Sequence, residues 1–387
     1  MKIALTNVDF DPARGGAETY ARNFARKLIR EGHEVHVYTA TWDTREKGPF
    51  YHRVPLPPFH FLRDYAWALR TRDLLLKEKF DLIHGFGKSV YMDVYRPGGG
   101  VRRADLEYKA RMAQGAALRA WVRFRNRTWL QHRLLLRLER IQFAPGGAHE
   151  IIAVSNMVRR EMIRYYHCEP ERITVIHNGA DLARFTPDLR ERFRKPARQE
   201  LGLPEDEIML LLVGHDYWRK GVPSLIRALP ELRRLSLPFR LVVVGRGRRA
   251  RCDRLARKSG VSDLIQYVGP TDLPEKFYAA ADIFCLPSRY DPCANVLLEA
   301  LACGLPAVTS TTNGSGELLT GKEGYAVPFG DVPQLARRIG EFFKRDRRQA
   351  ASLAARALAE AHSAERNFKE VMNVYAKALA RKRAPAT

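Results

Sequence analysis

The apolar positions of this chain fall into short continuous runs, separated by polar stretches in which apolar residues recur at helical spacing. Lys2-Ile-Ala-Leu-Thr-Asn-Val8, Gly32-His-Glu-Val-His-Val-Tyr-Thr39, Asp81-Leu-Ile-His-Gly-Phe-Gly-Lys88 and Tyr91-Met-Asp-Val-Tyr95 are runs of strand length. Glu150-Ile-Ile-Ala-Val-Ser155 and Glu171-Arg-Ile-Thr-Val-Ile176 continue the series. A second array follows with Ile208-Met-Leu-Leu-Leu-Val-Gly214, Phe239-Arg-Leu-Val-Val-Val-Gly245, Leu264-Ile-Gln-Tyr-Val-Gly-Pro270, Asp282-Ile-Phe-Cys-Leu-Pro287, Leu305-Pro-Ala-Val-Thr309 and Gly324-Tyr-Ala-Val-Pro328. Runs that do not alternate read as strands buried on both faces, the habit of a parallel sheet covered by helices. Helices are predicted from about residue 16 to 31, 64 to 79, 156 to 166 and 295 to 303, and through most of the tail after Val332. Pro49 to Pro58 reads as a loop.

Strand–helix alternation on this scale predicts α/β architecture, and 387 residues exceed what one ordinary core fills. The charged stretch from Thr186 to Pro204 is the natural linker. It divides the chain into a first domain, 1–185, and a second, 186–364, with a last helix at about 365–387. No apolar run is long enough to span a bilayer, and the start lacks a signal peptide's apolar core. Five cysteines in no CxxC pair fit free thiols in a reducing cytosol better than a disulfide framework or a zinc site.

Charge changes the picture. The net charge of +23 calls for an anionic partner, whether nucleic acid, a membrane surface or a phosphorylated acceptor. Between residues 102 and 140 there are 11 Arg or Lys against three acids. Arg119, Arg123 and Arg127 recur at helical spacing beside Leu118, Trp121, Val122 and Phe124. That makeup predicts a basic amphipathic segment, 101–143, in peripheral contact with an anionic membrane. The plainer alternative is a core-facing helix with a solvated arginine face. No nucleic-acid recognition fold is visible, so nucleic acid is not expected as a partner.

Candidate chemistry concentrates in Ser288-Arg-Tyr-Asp-Pro-Cys-Ala-Asn-Val-Leu-Leu-Glu-Ala-Leu-Ala-Cys-Gly304. Asp291 lies in a turn and Glu299 eight residues later on a helix. The small residues Cys293, Ala294 and Asn295, with Val296, open that helix. Backbone N–H groups and a partial positive charge at such an end suit a phosphate. The alternative is that Asp291 merely caps the turn and Glu299 is solvated. Arg219 and Lys220, in His215-Asp-Tyr-Trp-Arg-Lys-Gly221, can neutralise a diphosphate. Gly15 and Gly16 sit where a strand turns into a helix, so backbone can approach a ligand closely. Asp9-Phe10-Asp11 has the form of a metal-binding DxD but reads as turn residues before Pro12.

The Asp291-x7-Glu299 segment resembles the acidic-x7-Glu signature of retaining family 4 glycosyltransferases of GT-B fold. The family usually has Glu where this chain has Asp291. Ile173-x-Val-Ile-x-Asn-Gly-x-Asp181 and the Gly15-Gly16 loop resemble further family segments. Gly85-Phe86-x-Lys88 followed by Asp93-Val94-Tyr95 looks like the lipopolysaccharide core glucosyltransferase I subgroup.

The resemblance implies two Rossmann-like domains facing across a deep cleft. It implies hexose transfer, metal-independent and with retention, from a nucleotide-sugar to a glycolipid or cell-envelope glycan. No cofactor is implied, and UDP-glucose is the first donor to expect. Arg219, Lys220 and the backbone at Cys293 to Val296 would hold the leaving diphosphate, with Gly15 and Gly16 facing it. Glu299 would bind ribose and Asp291 the donor hexose, while Asp93 and Lys88 would face the acceptor. Many members carry Arg where His215 stands here, and Arg219 would supply the missing cation. A cytoplasmic enzyme, peripheral on the inner membrane face, follows. Transfer to another glycolipid, or an inactive sugar-nucleotide-binding protein, stays open. An epimerase of the same fold would need catalytic acids that have no obvious place.

Overall fold

The computed structural model describes residues 1–11, 15–45, 47–59, 61–112 and 115–383. Pro12, beside the DxD-like triplet, lies outside them. The chain forms two compact units, Met1–Ile176 together with the segment from Phe368 onward, and His177–Asn367. The sequence-based boundary at 185 thus falls nine residues late (185 against 176). The cause is packing: Ala180 and Phe185 belong to the second unit's core, and Ala180 bridges to Ser363.

In the first unit seven parallel strands are β1 (Lys2–Thr6), β2 (Glu34–Thr39), β3 (Phe50–Arg53), β4 (Leu82–Phe86), β5 (Val94–Arg96), β6 (Glu150–Ala153) and β7 (Ile173–Val175). Their order is β3-β2-β1-β4-β5-β6-β7. β3 corrects the loop expected over Pro49 to Pro58: it is a half-exposed edge strand paired only to β2, so it lacks a buried strand's apolar run. The helix Ala364–Arg383 buries Phe368, Val371, Val374, Tyr375 and Ala378 in this unit's core. The Tyr375 hydroxyl lies 2.8 Å from Nδ1 of the fully buried His84 on β4.

The second unit's strands are β8 (Ile208–Val213), β9 (Phe239–Val244), β10 (Ile265–Gly269), β11 (Ile283–Leu286), β12 (Ala307–Ser310) and β13 (Gly324–Val327). Their order is β10-β9-β8-β11-β12-β13, again parallel. Every residue of β8 is buried, as a central strand covered on both faces requires. In each sheet the order reverses once, between β1 and β4 and between β8 and β11. Open α/β sheets leave a crevice at the carboxyl ends of the strands at such a switch point, and that is where ligands bind.

Candidate active site

At the second unit's switch point, β8 and β11 deliver two loops that are pinned to each other. Gly214 follows β8, and a Cβ there would stand 3.0 Å from Cε of Lys220, so glycine leaves room for the lysine stem to cross the strand end without shifting. The Asp216 carboxylate accepts from the Arg219 N–H at 3.3 Å and caps the short helix Tyr217–Lys220. Gly221 ends that helix at φ +87°, where a Cβ would meet the Pro287 carbonyl oxygen at 2.0 Å. From the other loop, the Arg289 N–H donates to the Arg219 carbonyl at 2.8 Å.

These constraints put the Lys220 ammonium 2.5 Å from Asp291 Oδ2, across 71 residues of sequence. Arg219 approaches the same oxygen at 3.7 Å. Lys220 and Asp291 are only 8% and 6% exposed, so this is a buried ion pair, whereas Arg219 is partly solvated. Asp291 is itself held by backbone bonds to Thr312 and Gly314 at 3.0 and 2.8 Å. His215 stands at the position where the family resemblance implies an Arg in many members. Burial, then the neighbouring Arg246, lowers its pKa and keeps it neutral, and its Nδ1 accepts from the Arg246 N–H.

The helix Asn295–Ala302 starts beside this pair with no side-chain cap. Of the backbone donors expected for a diphosphate, the Ala294 N–H is already engaged by the Asn313 side chain at 3.3 Å. Cys293 is buried, and its carbonyl accepts from Asn178. Asn295 and Val296 are partly exposed at the helix start. Glu299 accepts a 2.8 Å hydrogen bond from the hydroxyl of buried Tyr278, a partner that the sequence reading missed. Loss of hydration raises the Glu299 pKa above the usual glutamate range, and the Tyr278 bond only partly offsets it. As pH falls through that raised pKa, the carboxylate becomes a neutral acid, a weaker acceptor for the sugar hydroxyl that the family resemblance assigns to it. Donor affinity is therefore expected to decline in a pH range where an ordinary glutamate is still ionised. Titration calorimetry against pH should show this decline, and Glu299→Gln should flatten it at a weaker affinity.

The first unit's switch point opens into a cavity of about 340 Å³. Asn7, Val8 and Asp9 after β1, and Phe86 at the end of β4 with Gly87 and Lys88 after it, form two of its walls. Arg96, from the end of β5, also lines it; this buried guanidinium lies 3.6 Å from the Tyr20 ring centroid. Sequence reading gave Arg96 no role. Burial lowers the Lys88 pKa. Gly15 precedes the helix Gly16–Arg30, whose Ala17 and Glu18 line the cavity. Asp9 accepts from the Thr41 hydroxyl at 2.7 Å and pairs with Arg63 at 3.3 Å.

Asp93 is a correction. It precedes β5 and sits opposite Ile83, at the amino ends of the strands, while Lys88 follows the carboxyl end of β4. Its Oδ2 accepts from the Ile83 N–H at 2.8 Å and from Lys382 Nζ at 3.1 Å. Asp93 therefore fastens the last helix to the sheet and is not among the residues that line the cavity at the first unit's switch point. Asp93→Ala is expected to lower the melting temperature and leave turnover per folded molecule unchanged, as paired scanning calorimetry and rate measurements would show.

Comparison with known proteins identifies the family to which the chain belongs. Residues 14–184 match the family described as Glycosyltransferase Family 4, and residues 193–358 match Glycosyl transferases group 1. Together they leave only 1–13, 185–192 and 359–387 unmatched. The chain belongs to the family 4 glycosyltransferases of GT-B fold. It is 29% identical over 309 residues to the lipopolysaccharide glucosyltransferase WaaG of Escherichia coli K12, covering 78% of each chain. It is 28% identical to the GDP-mannose-dependent alpha-(1-6)-phosphatidylinositol monomannoside mannosyltransferase of Mycolicibacterium smegmatis, covering 90% of this chain and 91% of that one. A crystal structure of WaaG, a glycosyltransferase involved in lipopolysaccharide biosynthesis, superposes with a TM-score of 0.82 at 24% identity over 96% of this chain and 99% of that one.

For a member of this family, the second unit brings Arg219, Lys220, Asp291, Cys293, Ala294, Asn295, Val296 and Glu299 to one strand-end region. It adds Tyr278 and Asn313, to which the sequence reading gave no role, and Asn178, which stood there only as part of the Ile173–Asp181 family segment. Among the described residues no helix is long and apolar enough to cross a membrane.

Proposed function

We propose that this glycosyltransferase is a retaining hexosyltransferase that moves glucose from UDP-glucose to the lipopolysaccharide core or a related cell-envelope glycan. The observation that carries the reading is the buried Lys220–Asp291 pair, with Arg219, beside an uncapped helix start at a switch point. The bond from the anomeric carbon to the diphosphate breaks, and a new bond to the acceptor oxygen forms on the same face. The leaving phosphate oxygen takes the acceptor's proton, and UDP departs. Arg219 and Lys220 stabilise the charge gathering on that oxygen, which a divalent metal would otherwise do. Glu299 holds the ribose and Asp291 orients the hexose.

In the first unit, Lys88 and Arg96 beside Glu18 and Asp64 suit an acceptor carrying both hydroxyls and an anionic group. The relation to WaaG supports a lipopolysaccharide acceptor. The mannosyltransferase relative, aligned over nine-tenths of this chain, supports phosphatidylinositol-based acceptors as a second reading. A panel of UDP-, GDP- and ADP-sugars offered with truncated lipopolysaccharide core and with phosphatidylinositol mannoside tests both. Product from UDP-glucose on the core is expected. Product only from GDP-mannose on the inositol lipid would replace the reading, and neither hydrolysis nor transfer would leave an inactive binding protein.

Peripheral contact with the inner membrane face is part of this reading. On the helix Ala116–Thr128 only Val122 and Asn126 are buried, while Trp121 and Phe124 are 54% and 66% exposed. The alternating arginines Arg119, Arg123 and Arg127 are exposed as well. Apolar rings turned to solvent among cations are what an interfacial helix presents. Each cation near an anionic surface is worth about 1 kcal/mol, so reversing all three should weaken vesicle binding at least about 100-fold. Sedimentation with phosphatidylglycerol vesicles measures it, and undiminished binding would return the helix to an ordinary solvated face.

A further inference from the structure

The chain passes from the first unit to the second at Ile176 and His177, and returns after Asn367. Around both crossings the second unit is tied to itself by several close contacts. The Asn367 side-chain amide donates to the His177 carbonyl at 2.6 Å. The Ala180 N–H donates to the His362 carbonyl at 3.0 Å, and the Ala364 N–H to the Ala180 carbonyl at 2.8 Å. Gly179 lies so close that a Cβ would stand 2.3 Å from the Ser363 carbonyl oxygen. Residues 177–180 are thus fixed by backbone contacts that involve no donor-site loop.

From this fixed segment two side chains reach the donor-site loops. Asn178, 8% exposed, donates its amide to the Cys293 carbonyl at 2.9 Å and to Asn295 Oδ1 at 2.5 Å. His177 Nε2 lies 2.6 Å from Glu317 Oε1 in the turn Gly314–Leu318, just after the Asn313 that holds the Ala294 N–H. The helix Asn295–Ala302 has no side-chain cap of its own, so the direction in which its first N–H groups point depends on how Cys293 to Asn295 are held.

We infer that Asn178 is a positioning residue for the donor: by drawing on the Cys293 carbonyl and the Asn295 side chain it aims the first turn of this helix at the diphosphate. The inference rests on the donor site proposed above, and it deepens that reading by naming what orients the diphosphate cradle. Pre-aimed donors need no rearrangement when charge develops on the leaving group. The connecting segment is then part of the catalytic architecture through Asn178, although Asn178 itself touches no reacting atom.

The test uses the full chain and the variants Asn178→Asp, which keeps the shape but loses the amide donor, and Asn178→Ala. Amide hydrogen exchange of residues 293–297 without ligand reads the clamp, and UDP titration reads the cradle. At least tenfold faster exchange there is expected, with UDP bound at least tenfold more weakly and the melting temperature within a few degrees of wild type. Should either variant fail to fold, Asn295→Ala removes the clamp's other side chain and is expected to speed the same amides and weaken UDP. Unchanged exchange overturns the inference, and so does faster exchange with unaltered UDP affinity. If wild-type protein binds no UDP, GDP or ADP, the donor assignment fails instead, and the exchange measurement still decides whether Asn178 holds the turn.

Discussion

Lys220→Met is expected to lower kcat/KM for the nucleotide-sugar by about 10²–10³, the usual cost of deleting one preorganised charge from a leaving-group site. Met preserves the stem that lies across Gly214, so the loss is one of charge rather than packing. It also strands the Asp291 carboxylate, 6% exposed, with Arg219 at 3.7 Å as its remaining ion-pair partner among the described residues. Breaking a buried pair from one side costs about 3–5 kcal/mol, because a charge is left without its partner. Arg219 and the backbone around Asp291 reduce this, so a value near the lower end is expected in urea unfolding. The double variant Lys220→Met with Asp291→Asn separates the two effects. Neutralising both partners should restore most of the stability, since no buried charge is left behind. Transfer should stay lost. If activity returned with stability, the pair would be structural only.

Asp282→Ala is expected to destabilise the second unit by about 3–5 kcal/mol without touching its chemistry. Asp282 is buried just before β11, and its carboxylate collects four donors. Oδ2 accepts from the Met209 N–H at 2.9 Å and Arg198 at 3.2 Å; Oδ1 accepts from Arg194 at 3.1 Å and Arg190 at 3.4 Å. Arg198 is fully buried, so deleting the carboxylate leaves its guanidinium with the more distant and largely exposed Glu205, 3.7 Å from Nε, as its remaining ion-pair partner among the described residues. For a unit of this size the loss corresponds to a melting temperature lower by roughly 10 °C. UDP affinity of the folded protein should be unaltered, because Asp282 lies at the amino end of β11 and the donor loops leave its carboxyl end. A fall in UDP affinity as large as that of Lys220→Met would extend the donor site into this network.

How much of this was legible in the sequence depended on what each feature needs. β8 and β9 announce themselves as apolar runs because parallel strands are buried on both faces, whereas β3 is short, half-exposed and next to Pro49, and reads as loop. The 101–143 segment read as helical, but its division into Arg102–Arg111, Ala116–Thr128 and Leu130–Phe143 did not. The small residues Cys293, Ala294 and Asn295 marked the start of the donor helix through local backbone chemistry. The Lys220–Asp291 contact joins residues 71 apart and leaves no periodic trace. Asp93 misled for a related reason. It is five residues from Lys88 in sequence, yet β4 has five residues, about 17 Å, and its two ends face opposite rims of the sheet. The carboxylate was visible, but not the end of the strand on which it stood.

Radiolabelled transfer from UDP-glucose to truncated lipopolysaccharide core, with wild-type and Lys220→Met proteins side by side, tests the central claim most directly. The account expects labelled product from the wild type and at least about 100-fold less from the variant. Equal rates from the two proteins would contradict it, because the buried pair at the β8–β11 switch point would then have no part in transfer.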